Sequence, residues 1–163
     1  MPSLKTFLKR HLRTVLNLWP PFLGSGIRVK RLDADWRAID IEMKLHRWNA
    51  NYVGTHYGGS LYSMTDPFYM LMLIENLGPG YTVWDKSAAI RFRRPARGTV
   101  SASFRLSSEQ TAEIRRTLET QEKIEPEFIV EVKDEHGHVV AEVRKQLYIR
   151  GKKIKAPSPT APA

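Results

Sequence analysis

Asp66, followed directly by Pro67, is the only acidic residue between Glu42 and Glu75. It falls inside Gly58 to Leu77, the most apolar part of the chain. A carboxylate buried there needs hydrogen-bond partners if its role is structural and a pocket if its role is chemical. Pro67 cannot donate to the carbonyl of Ser63, and it biases Asp66 away from ideal helical geometry. A helix kinked at such a carboxylate suits a general base or a nucleophile. Just ahead, Gly54, Gly58 and Gly59 let the backbone approach a ligand closely, and the first amides of a helix have no partners within it. Such a terminus can hold the oxyanion formed when an ester or thioester carbonyl is attacked. Close packing at a helix start would use the same glycines.

Arg91, Arg93, Arg94 and Arg97 gather around one strand and turn, where they could meet the phosphates of coenzyme A or an acyl-carrier protein; a solvated strand face would look the same. The 163-residue chain carries Lys+Arg 26 against Asp+Glu 17, a formal net charge of +9, which favours anionic partners. Cys is 0, which excludes a disulfide scaffold, a thiolate zinc site and a cysteine nucleophile. His136-Gly137-His138 lies in a turn and is too few ligands for a metal, so no metal site is expected. There is no Gly-x-Ser-x-Gly, phosphate-binding glycine loop or dinucleotide fingerprint. Nucleic-acid binding would rest on charge alone, because Trp36, Trp48 and Trp84 do not space into a stacking platform, and none is expected.

The elements that must position these residues follow from periodicity. Leu4, Phe7, Leu8, Leu12, Val15, Leu16 and Trp19 recur at helical spacing over residues 4–19, with Ser3 as cap and Pro20-Pro21 as stop. Its basic residues fit either an anionic membrane surface or a solvated face, with the apolar stripe packed on the domain or on a second subunit. Ile27 to Leu32 and Ala38 to Leu45 read as a hairpin, the second strand placing Ile39, Ile41, Met43 and Leu45 on one face. The run from Gly58 to Leu77 reads as one long helix, apolar nearly all round and therefore buried nearly all round. Ser87 to Arg93, Val100 to Leu106, Phe128 to Val132 and Val139 to Ile149 read as strands, and residues 108–120 as a polar helix capped by Ser107 or Ser108. The expected class is α+β, an antiparallel sheet wrapped around one hydrophobic helix. Domain limits fall at 1–24 (N-terminal helix and linker), 25–150 (folded domain) and 151–163 (solvated tail). No segment reaches the ~20 apolar residues of a membrane span, and Asn17 with Pro20-Pro21 interrupts any signal-peptide core, so a cytoplasmic location is expected.

The residues also carry a family resemblance. Asn51-x-x-Gly54-Thr55-x-Tyr57-Gly58-Gly59 followed by Asp66 resembles the active-site signature of hotdog-fold acyl-CoA thioesterases of the phenylacetyl-CoA (PaaI-like) type. Ile90 to Gly98 resembles their third-strand motif, and Val132 to Ala141 their last hairpin. The similarity spans about residues 25–150 and is nearest a branch catalogued only as a hotdog domain of unknown function. It implies a cofactor-independent thioesterase with Asp66 as base or nucleophile, Gly58 or Gly59 as oxyanion amide, and Asn51 orienting water or substrate. Ser63 and Thr55 join the four arginines as substrate-binding residues. It further implies a homodimer joined sheet edge to sheet edge with sites at the interface, or a homotetramer. The chain departs from the pattern in placing Tyr57 where histidine precedes Gly-Gly, with His56 one residue earlier; Tyr57 could supply a hydroxyl instead. Residues 1–20 and 108–122 have no counterpart in the minimal fold, and could act as a lid and a pocket wall. A non-catalytic acyl- or lipid-binding protein is the alternative.

Overall fold

A computed structural model describes residues 11–151. Chain order is α1 (Leu12–Leu18), α2 (Pro20–Ser25), β1 (Ile27–Leu32), β2 (Ala38–Lys44), α3 (Gly58–Ser63), α4 (Phe68–Leu77), β3 (Tyr81–Phe92), β4 (Thr99–Arg105), α5 (Ser108–Thr120), β5 (Lys123–Ile124), β6 (Glu127–Asp134) and β7 (Val139–Gly151). The strands form one antiparallel sheet in the order β1-β2-β4-β6-β7-β3, with β5 pairing β7. The expected hotdog architecture is therefore present.

Alternation in the sequence sets the inner face of the sheet. Ile39, Ile41 and Met43 of β2, Val100, Ala102 and Phe104 of β4, and Val143, Leu147 and Ile149 of β7 are all buried. Against them lie Phe68, Tyr69, Met72, Leu73 and Leu77 of α4. Phe68 meets Phe104 tilted and Tyr69 meets it edge to face, at ring separations of 5.0 and 5.2 Å.

The central helix differs from expectation twice. It is broken into α3 and α4, because Pro67 supplies no amide and the chain turns through Met64 to Pro67 before resuming. Its burial is also one-sided: Met70, Leu71 and Ile74 remain half-buried or exposed although all are apolar. Pro20-Pro21 stops α1 as expected, at Leu18, and also forms the first turn of α2, where fixed φ and a missing N–H are tolerated. The first part of the expected helix at 4–19, including Ser3, lies outside the described residues, as does the tail beyond 151. β3 begins earlier than expected, at Tyr81, and carries an irregularity between Asp85 and Ser87. The polar helix is α5, with a reciprocal capping box between Ser107 and Gln110. Among the described residues, no helix is long and apolar enough to cross a membrane.

Candidate functional site

The loop before α3 is closed by its own side chains. Asn51 Nδ2 donates to Thr55 Oγ1 (2.8 Å) and to the His56 carbonyl (3.3 Å), while its Oδ1 accepts from the amides of Val53 and Thr55. Both donors and both acceptor positions of the amide are thus occupied inside the loop. Asn51 was expected to orient water or substrate; with no position left over, it orients Thr55 and His56.

His56 points inward and is almost fully buried. Its backbone amide donates to the Ala96 carbonyl, and its Nε2 lies 3.0 Å from the Gly98 carbonyl. Gly98 O can only accept, so Nε2 carries the proton and Nδ1 is a bare acceptor, buried without a partner among the described residues. Burial pushes the imidazole below its ordinary range, so it is neutral at physiological pH. Arg97 completes the seam by donating to the Gly54 carbonyl (3.3 Å).

Glycine lets two exposed rings lie close against the start of α3. A Cβ on Gly58 would sit 2.9 Å from Phe92 Cζ, and one on Gly59 would sit 2.4 Å from Tyr57 Cε1. Tyr57 itself is exposed and begins the helix without a capping side chain. Among the described residues neither glycine amide has an acceptor. α3 has only six residues, so any help to an oxyanion comes from these individual N–H groups more than from a summed dipole. A cleft of about 560 Å³ opens beside Gly58, bringing it together with Asn51, Thr55, His56, Arg93, Arg94 and Arg97, with Phe92 and Leu61 as apolar walls; Gly59 and Tyr57 do not line it. Arg91 does not line it. Arg93 also reaches Glu142 at 3.3 Å.

Asp66 is elsewhere, and it is not the buried acid the sequence suggested. Its side chain is 48% exposed, because the break at Pro67 swings it out of the helical path toward β7. There it meets Lys145, whose side chain is 0% exposed: Nζ lies 3.1 Å from Asp66 Oδ1 and also donates to the Asp66 carbonyl. Asp85 stands on the far side, its Oδ1 3.0 Å from the same nitrogen, as an ion contact more than an aligned hydrogen bond. Burial raises the Asp85 carboxyl, Lys145 pulls it back down, and the net direction is upward. The Tyr62 ring lies 5.9 Å from the ammonium; burial, with Asp66 adding to it, pushes the phenol up to about 12. Tyr62 is therefore only a proton donor near neutral pH. Ser63 enters through its backbone, its carbonyl accepting from the Asp66 amide at 3.3 Å.

Lys145, Asp85 and Tyr62 were missed from the sequence. One signal was available for Lys145: period-2 alternation on β7 sets it in phase with Val143, Leu147 and Ile149, which places a charge in the core.

Within one chain the acid and the cleft do not meet. Lys145 pairs across from Ala88 on β3, whereas Phe92, which covers Gly58, pairs with Ala141. Four residues of strand separate the two levels, about 13 Å. A larger groove of about 820 Å³ between α1 and β1 is lined by Arg13, Arg28, Lys30 and Lys44 and touches neither. Helix α5, expected as a pocket wall, borders a separate hollow with Pro126 and Phe128. Among the described residues no three potential ligands gather for a metal.

Known proteins share this architecture. The structure is similar to PA5026 of Pseudomonas aeruginosa, described as a protein of unknown function and probable thioesterase, at 25% identity and a TM-score of 0.75, over 93% of this chain and 98% of that one. It is also similar to the thioesterase HI1161 of Haemophilus influenzae (14% identity, TM-score 0.62, 96% of each chain). The PaaI protein of the E. coli phenylacetic acid degradation operon aligns at 16% identity and a TM-score of 0.61, over 92% of this chain and 98% of that one. No functionally curated protein matches. Residues 9–149 match the family described as a domain of unknown function, DUF4442, and the chain, with its thioesterase-like hotdog fold, belongs to that family.

Proposed function

We propose that the protein hydrolyses an acyl thioester, carried on coenzyme A or an acyl-carrier protein, with Asp66 as the base. The observation that carries this reading is a half-exposed carboxylate held by a fully buried lysine at a broken helix. In the reaction, water attacks the thioester carbon and passes its proton to Asp66. The carbonyl pair moves onto oxygen, where the Gly58 or Gly59 amide receives it. Collapse re-forms the carbonyl and breaks the C–S bond, and the departing thiolate recovers the proton from Asp66. Arg93, Arg94 and Arg97 suit the phosphates of the carrier.

The separation of acid and cleft argues that the site is shared between two copies. Among the described residues β3 is an edge strand, bonded only to β7, and it exposes Trp84 (64%) and Phe92 (56%). Two copies paired antiparallel about Ile90 would set Ala88 of one against Phe92 of the other, bringing Asp66 of one copy level with the cleft of its mate. Because the chain lacks cysteine, Ile90→Cys would cross-link such a pair across its axis under oxidation; exclusively monomeric protein would end the shared-site reading.

The inward, one-sided bonding of His56 favours a second reading, a non-catalytic acyl or lipid binder. Hydrolysis of a panel of acyl-CoAs by wild type and Asp66→Asn separates the two. Equal rates remove Asp66 from the mechanism, and tight acyl-CoA binding with no turnover at any chain length supports the binder.

A further inference from the structure

The ammonium of Lys145 occupies an inward position of β7, between Val143 and Leu147, with no exposure at all. A buried charge of this kind is very unfavourable unless it is paired. Three oxygens approach its Nζ: Oδ1 and the carbonyl of Asp66 from the helix break, and Oδ1 of Asp85 from β3. Tyr62 faces it from α3 with a ring, not a charge. Asp85 reaches it because Val83 and Asp85 share the inward phase of β3 before the irregularity at Lys86, and Asp85 pairs with Leu147, two residues along β7, which makes it a diagonal cross-strand neighbour of Lys145.

We propose that Lys145 is the positioning residue of the site, aiming the Asp66 carboxylate, and that Asp85 is the standing counter-charge that keeps Lys145 paired while Asp66 takes up a proton. This rests on the reading of Asp66 as the base. The reason is charge counting. With both carboxylates ionised the cluster carries −1, and with Asp66 protonated it carries 0. If Asp66 were the only acid facing Lys145, its protonation would strand an ammonium in the core, and the lysine would oppose the proton transfer that catalysis requires. With Asp85 present, Lys145 keeps one ionised partner in both states. Burial and the nearby Asp66 charge both push the Asp85 carboxyl upward, as expected of two acids competing for one cation.

The test uses Lys145→Met, Asp85→Asn and the double variant. Two readouts apply: carboxyl ¹³C NMR titration of Asp66, assigned by its loss in Asp66→Asn, and the pH profile of acyl-CoA hydrolysis. Lys145→Met leaves two carboxylates facing each other, so the Asp66 carboxyl signal should respond at higher pH than in wild type. Asp85→Asn leaves the ammonium to Asp66 alone, so the titration should move the opposite way. The acid limb of kcat/KM should follow both movements while KM changes by less than about twofold. If Lys145→Met does not fold, Asp85→Asn and the double variant, which has no stranded charge, carry the comparison. An Asp66 titration that stays fixed, or moves the same way in both single variants, overturns the proposal. Titrations that move as expected while Asp66→Asn hydrolyses as fast as wild type would uphold the positioning and overturn the reading of Asp66 as base.

Discussion

The cleft beside His56 and the ion cluster around Asp66 lie about 13 Å apart along β7 and are held by different kinds of bond. The cleft is assembled by neutral hydrogen bonds between neighbours: Asn51 to Thr55 and His56, and His56 to the 96–98 turn. Its polar side chains are largely satisfied, so it resembles a preformed cradle. The cluster is assembled by charge across a sequence separation of 79 residues, and its carboxylate keeps one side open to solvent. A cradle tolerates small changes in its lining; a buried ammonium does not tolerate loss of all its counter-charges.

The largest expected effect therefore falls on the cluster. Asp66→Asn should lower kcat/KM for acyl-CoA by about a thousandfold with little change in melting temperature, measured by thiol release and calorimetry. A loss below tenfold would place the chemistry at the cradle instead. Next, Ile90→Cys should give a disulfide-linked dimer in high yield on mild oxidation, visible on non-reducing gels; a monomer alone would leave the two regions unconnected. On the cradle side, replacing Arg93, Arg94 and Arg97 together by Gln should raise KM about tenfold at low salt and progressively less at high salt, with kcat nearly unchanged. Gly58→Ala should slow turnover only a few-fold, because the added methyl meets the tip of the exposed Phe92 ring, which can turn aside.

The smallest effect is the pH dependence of stability from His56. Its native imidazole resists protonation, while the unfolded one binds a proton below about pH 6.5. The unfolded state then holds more protons, so stability falls as pH drops below that value until the folded group also protonates. Thermal melts should show this decline in wild type and a flatter profile in His56→Leu. Equal slopes would mean that His56 is accessible and that the cradle is looser than its bonds imply.

Much of this was legible along the chain. The inner faces of β2 and β7, the capping box of α5 and the Asp134–His138 turn are short-range patterns that packing has no reason to override. Asp66 also stood out, as the one acid between Glu42 and Glu75. Its surroundings did not. The sequence suggested a buried acid in a helix kinked at the proline, whereas the proline turns the chain far enough to leave the carboxylate half in solvent. Asn51 was legible as a polar loop residue, but the use of its amide depended on which way the loop closed.

Periodicity and residue type alone determined that a sheet would cover an apolar helix and that one carboxylate would sit at the helix break, because both follow from contacts within a few residues. Only the tertiary structure decided what that carboxylate faces. Lys145 and Asp85 reach it from β7 and β3, strands whose mutual register is set by the whole sheet, and neither residue announces its partner in its own stretch of chain. A buried charge is stable only where opposite charges converge, and that convergence exists only once the distant strands have paired.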